Sequence, residues 1–151
     1  MKNYDVIKKN IEDFFKKTTF NVVIESLLEK DNIIFINIKT EDPQILIGEG
    51  GQTLNEIQHL LKKILKRKVE DFFYLDIDIN DYKKKKGEYL KEIALLVADE
   101  VILSNSEKEL SPMLSYERRI IHLVLAERKD IFTESIGQGN ERRVKIKPIN
   151  S

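Results

Sequence analysis

The chain of 151 residues contains no cysteine. Disulfides, thiolate metal sites and thiol nucleophiles are thereby excluded, and the composition suits a reducing cytoplasm. No apolar run approaches the roughly 20 residues that a membrane-spanning helix needs, so membrane insertion is not expected. The first residues, Met1-Lys2-Asn3-Tyr4-Asp5, lack the apolar core of a secretory leader, and the expected location is the cytoplasm. Excess charge is missing as well, because 26 basic side chains balance 26 acidic ones. A neutral total argues against strong non-specific attraction to polyanions, although local clusters still set the field that a phosphate meets. Nucleophile elbows, metal-ligand clusters and catalytic carboxylate sets are also not found, so neither enzymatic activity nor a cofactor is expected.

What remains is 41% apolar and 34% charged, the profile of a globular protein on the charged side. The length suits one domain or two small ones. Charge is unevenly spread. Residues 1–80 hold 12 Lys and Arg against 14 Asp and Glu, and residues 81–151 hold 14 against 12. Within the second part, Arg142, Arg143, Lys145 and Lys147 crowd into six positions without an acid.

Periodicity predicts an α+β fold. Val6, Ile7, Ile11, Phe14 and Phe15 recur at helical spacing over 5–17. Residues 20–27 and 32–39 are rich in β-branched and aromatic side chains and read as strands, with Asp31-Asn32 suited to the hairpin turn between them. Asp42-Pro43 reads as the start of a short helical turn over 43–47. Gly48, Gly50 and Gly51 interrupt it, and helix resumes over 52–67 with Leu54, Ile57, Leu61, Ile64 and Leu65 buried. A strand follows at 72–79. The second part opens with a helix over 82–104, striped by Leu90, Ile93, Ala94, Val97, Val101 and Ile102. A polar connection leads to a helix over 114–127. A hairpin of 131–136 and 143–147 turns around Gly137-Gln138-Gly139-Asn140. In its last strand Val144 and Ile146 face inward, with Arg143, Lys145 and Lys147 outward. The boundary is expected near Asn80-Asp81, giving domains 1–80 and 81–151.

Two motifs carry chemistry. The first is Gly48-Glu49-Gly50-Gly51 ahead of a helix. Glycine lets a ligand backbone approach and accepts positive φ, and the helix that follows offers free amides and a positive dipole end. The second is Tyr116-Glu117-Arg118-Arg119-Ile120-Ile121-His122. Positions four apart share a helix face, so Arg118 and His122 stand on a polar side with Ser115 and Arg119, opposite Ile120, Ile121, Val124 and Leu125. The run Lys83–Lys86 reads as a solvated helix start or as a phosphate-facing ridge. Asp76 and Asp78 are assigned to solvent or salt bridges.

The order helix–strand–strand–helix–helix–strand, with Gly-x-x-Gly between the central helices, resembles the K-homology (KH) domain of type II. The resemblance implies that Gly48, Glu49, Gly50 and Gly51 clamp a few nucleotides. Glu49 occupies a position that is often basic in such loops, and an acid there opposes phosphate. Arg118 and His122, with Pro112-Met113 before them and Thr133-Glu134-Ser135, Gly137 and Arg142-Arg143-Val144 after them, resemble the R-3-H domain, whose members bind single-stranded nucleic acid. Arginine chelates phosphate or stacks on a base, and histidine adds a ring and donors.

The pairing of both halves resembles the Jag family of bacterial RNA-binding proteins, here in a short form without the extra amino-terminal domain that many members carry. The resemblance implies cytoplasmic binding of single-stranded RNA, or of single-stranded DNA, and a post-transcriptional influence on cell elongation or division. It also implies a small single-KH partner protein or self-association. The expected contacts are Arg118, Arg119, His122, Arg142, Arg143, Lys145, Lys147 and the Gly48–Gly51 turn. The alternative is a protein-interaction adaptor whose first half dimerises or recruits a partner instead of RNA.

Overall fold

The computed structural model describes residues 3–71 and 73–150. The chain is α+β and divides into two compact units between Lys83 and Lys84. The first contains α1 (Tyr4–Lys16), β1 (Val22–Lys30), β2 (Ile33–Thr40), α2 (Pro43–Ile47), a single 3-10 turn (Glu49–Gly51), α3 (Gln52–Lys66) and β3 (Tyr74–Ile79). Residue 72, the first of the strand predicted over 72–79, lies outside the described residues. The helix α4 (Tyr82–Ser104) follows, and then β4 (Lys108–Glu109), α5 (Ser115–Leu125), β5 (Ile131–Ile136) and β6 (Arg143–Pro148).

In the first unit β2 is central, antiparallel to β1 and parallel to β3. A hairpin suffices for the antiparallel pair, and Asp31 and Asn32 make it with φ of 52° and 62°. The parallel pair needs a crossover, which α2, the glycine turn and α3 supply. Ile34, Ile36 and Ile38 alternate into the core, where Leu75, Ile77 and Ile79 of β3 meet Ile7, Ile11 and Phe15 of α1 and Leu54, Leu61 and Leu65 of α3. Side chains cover the outer edge of β3. Gln58 Oε1 accepts the Ile77 N–H at 2.9 Å, and Lys83 Nζ reaches both Gln58 and Asp76 at 2.7 Å. An uncovered edge would invite pairing with another strand. Lys83 therefore has a structural task within the lysine run. Asn80 ties the end of β3 to β2, accepting the Thr40 N–H and donating to Thr40 O, both at 2.9 Å.

In the second unit α4 and α5 cover one face of an antiparallel sheet ordered β4-β6-β5. Gly87, Leu90, Ala94, Ala98 and Val101 form the buried line of α4, in which Gly87, Ala94 and Ala98 are small and let neighbours approach closely. Ile102, predicted within that stripe, is exposed, and Ala98 takes the buried place. The spacing explains the change. Residues 94, 98 and 101 follow one line at helical period, whereas 102 falls about 100° beyond 101. Periodicity gives no sign of β4. Its two residues, Lys108 and Glu109, lie in a polar stretch without apolar alternation, and pairing with Ile146 and Lys145 alone makes them a strand.

Candidate nucleic-acid interface

Helix α5 turns Ile121 and Leu125 into the core and leaves Arg118 and His122 half-buried one turn apart. Glu117 is buried as well, and its Oε2 accepts the Leu114 N–H at 3.2 Å, which fixes the start of the helix. The imidazole of His122 lies against β5. Its Nδ1 is 2.8 Å from Thr133 Oγ1 and its Nε2 is 2.8 Å from Ser135 Oγ. A neutral ring satisfies both contacts, donating to one hydroxyl and accepting from the other. The ring thereby fixes the orientation of both hydroxyls, leaving one with a free O–H and the other with free lone pairs.

Arg118 is tied to the same end of the sheet. Its Nε donates to Met113 O at 3.4 Å, and the Met113 N–H donates to Arg142 O at 3.1 Å. Arg142 in turn donates from Nη1 to Gly137 O at 2.9 Å, closing the β5–β6 turn. Arg118, His122, Thr133 and Ser135 thus share one end of the sheet, Met113 joins Arg118 to the Arg142 backbone, and Arg119 is exposed on the same helix. Thr133 and Ser135 are not among the contacts expected from the sequence. The signal that could have found them is two hydroxyls at i and i+2, which a strand places on one face.

Burial, aided by the charge of Arg118, holds the His122 pKa below the ordinary histidine value of 6.5. The folded unit therefore binds fewer protons at this site than the unfolded chain does. The stabilising contribution is complete above about pH 6.5 and is lost as pH falls through the lower, folded value. Thermal unfolding of the whole protein, followed from pH 7.5 downward, is expected to show the melting of the second unit moving to lower temperature below that point. In His122→Gln this component of the pH dependence should vanish.

The remaining predicted cations lie elsewhere. Thr133 and Ser135 pair across β6 with buried Ile146 and Val144, whereas Glu134 pairs with Lys145. Arg143, Lys145 and Lys147 therefore project from the opposite face of the sheet to the one His122 meets. The structure gives Arg142 and its neighbour Arg143 different partners, Gly137 O for the one and Glu109 for the other.

At the glycine turn, Gly48 and Gly51 have φ of 74° and 80°. A Cβ on Gly48 would stand 2.2 Å from Thr53 Oγ1, and one on Gly51 would stand 3.0 Å from the Tyr82 ring. Close approach and positive φ both call for glycine at these two positions. Glu49 is exposed at the tip.

Among the described residues no group of three or more His, Asp or Glu side chains could hold a metal ion, and no helix is long and apolar enough to cross a membrane.

Residues 88–148 match the R-3-H domain family, so the carboxy-terminal part of the chain is an R-3-H domain. The chain is 34% identical over 118 residues to the RNA-binding protein KhpB of Clostridium symbiosum, covering 78% of this chain and 53% of that protein. It is 33% identical over 120 residues to KhpB of Bacillus subtilis (strain 168), covering 78% and 58%. A further similarity, 33% over 95 residues, is to the small ribosomal subunit protein uS3 of Onion yellows phytoplasma, covering 62% and 33%. The chain spans about half the length of the KhpB relatives it matches.

Proposed function

We propose that the chain is a Jag-family protein that binds single-stranded RNA without catalysing its cleavage, and that the cluster of Arg118, His122, Thr133, Ser135 and Arg142 is the principal contact. The observation that carries this reading is the grouping of His122 with the hydroxyls of Thr133 and Ser135 and with the charge of Arg118, which Met113 joins to the Arg142 backbone, while the neighbouring acid, Glu117, is turned into the core. Arginine heads suit phosphate oxygens and the planes of unpaired bases, and the hydroxyls suit the sugar and backbone. Phosphate contacts place the strand without reading its sequence. The names of the KhpB relatives support RNA as the ligand.

In this reading residues 1–80 form a type II KH-like domain and residues 81–151 the R-3-H domain. Gly50, where an added carbon would meet nothing within 4 Å, then lets a sugar–phosphate backbone pass close to the start of α3, on a turn that Gly48 and Gly51 shape. The protein acts in the cytoplasm on transcripts that affect cell elongation or division, with a small single-KH protein or a second copy as partner.

Titration of a labelled single-stranded oligoribonucleotide, in parallel with a duplex of the same sequence, tests the proposal. Preference for the single strand is expected, with log K falling against log salt at a slope near −2 for about three phosphates. Equal affinity for both forms contradicts it. Glu49→Lys is expected to tighten binding about threefold and to steepen the slope by about 0.7, one further phosphate. Unchanged titrations would show that the acid at the turn does not limit access.

A further inference from the structure

The outward cations of β6 each meet a carboxylate from beside them in the sheet. Arg143 Nε donates to Glu109 Oε2 at 2.7 Å. Lys145 Nζ lies 3.4 Å from Glu107 Oε1 and 3.8 Å from Glu109 Oε1, and Lys147 Nζ lies 2.8 Å from Glu134 Oε1. Arg143 holds the Glu109 carboxyl below its ordinary range, and Lys147 does the same for Glu134. On the same face Phe132, 53% exposed, stands across from Lys147. Strand alternation alone predicts a bare basic stripe here. The surface is instead a row of three cations neutralised by three glutamates, with an open aromatic ring at one end.

Alternate residues of a strand are about 6.7 Å apart, close to the length of one nucleotide in an extended single strand. The row therefore offers one cation per phosphate. We propose that this outer face is a second single-stranded nucleic-acid site, in which phosphates displace the carboxylates of Glu107, Glu109 and Glu134 and an unpaired base stacks on Phe132. In the free protein the three carboxylates occupy the anion positions and hold the affinity of this face down. Ion pairs as exposed as these are weak, and a polyphosphate brings several anions along one strand. Stacking on Phe132 requires an unpaired base, which excludes a closed duplex. The inference rests on the RNA-binding reading for its ligand chemistry but uses none of the residues of the Arg118 cluster, so the two can fail separately.

The test is the whole chain carrying Glu107→Gln, Glu109→Gln and Glu134→Gln, titrated with a uridine dodecamer. Affinity is expected to rise about tenfold at low salt and the salt slope to steepen by about 2, the sum for three phosphates. A control with the same change of net charge on the helix side of the second unit, Glu88→Gln, Glu92→Gln and Glu127→Gln, is expected to gain less than about threefold, because α4 and α5 cover the other face of the sheet. Adding Phe132→Ala to the first triple should remove about fivefold of the gain. Identical behaviour of the two triples overturns the proposal. If the first triple does not fold, amide resonances of 143–147 in the unmodified protein decide. They should shift on adding the dodecamer at low salt, and no shift there, while residues near Arg118 respond, overturns the proposal. A first triple that gains affinity while Arg118→Ala with His122→Ala leaves the unmodified protein unaffected would support this face and refute the principal one.

Discussion

Replacing Arg118 and His122 together by alanine is expected to weaken binding of single-stranded RNA about thirtyfold. That factor corresponds to about 2 kcal/mol, the range for losing one charge-assisted contact together with the ordering of neutral ones. The two residues contribute differently. Arg118 supplies a charge at the polar end of the sheet, and its loss should reduce the salt slope by about 0.7. His122, neutral at pH 7 because burial disfavours its charge, supplies no net charge to a phosphate. Its part is to hold Thr133 and Ser135 in fixed orientations, so His122→Ala alone should weaken binding with an unchanged salt slope. All the groups involved are half-buried, so water can take over the hydrogen bonds of the truncated ring. The stability cost of His122→Ala is accordingly about 1 kcal/mol, small enough for the variant to remain folded. Titrations at three salt concentrations, with a melting curve for each variant, separate these contributions.

The largest expected effect on stability is at Gly48. Gly48→Ala should destabilise the first unit by about 3 kcal/mol and lower its melting temperature by about 12–24 °C, at roughly 4–8 °C per kcal/mol for a domain of this size. Two physical causes add. A side chain at φ of 74° and ψ of 179°, a region essentially reserved for glycine, costs about 1–3 kcal/mol. The Cβ placed 2.2 Å from Thr53 Oγ1 and 2.8 Å from Thr53 Cβ also forces a shift, at about 1–3 kcal/mol for overpacking. Gly50→Ala is the internal comparison, since its φ is also positive but nothing lies within 4 Å of the added carbon. It should lose only the conformational part, about 1 kcal/mol. Equal losses at the two positions, measured by calorimetry, would contradict the steric explanation.

Much of the fold is legible in the sequence because periodicity reports which face of an element is buried. Ile34, Ile36 and Ile38 alternate, Leu54, Leu61 and Leu65 recur at helical spacing, and each pattern matches the core. The turn at Asp31-Asn32 and the interruption at Gly48–Gly51 are equally legible, because few residues accept positive φ. Periodicity says nothing about what another strand brings alongside. The outward direction of Arg143, Lys145 and Lys147 is readable, but Glu107 and Glu109 reach them only through β4, a strand too short and too polar to signal itself. In the same way the helix spacing of Arg118 and His122 is visible, but the bonding of His122 to Thr133 and Ser135 depends on how α5 lies over β5. The separation of Arg142 from Arg143 follows from strand alternation, yet its consequence emerges only once Met113 is seen to link Arg142 to Arg118.

Photo-crosslinking of the whole chain to a single-stranded RNA containing 4-thiouridine, followed by peptide mapping, is the most direct test of the Arg118 cluster as the principal contact. Crosslinks are predicted to concentrate in residues 113–122 and 133–142. Crosslinks confined to the first unit, with neither of these segments labelled, would contradict the account.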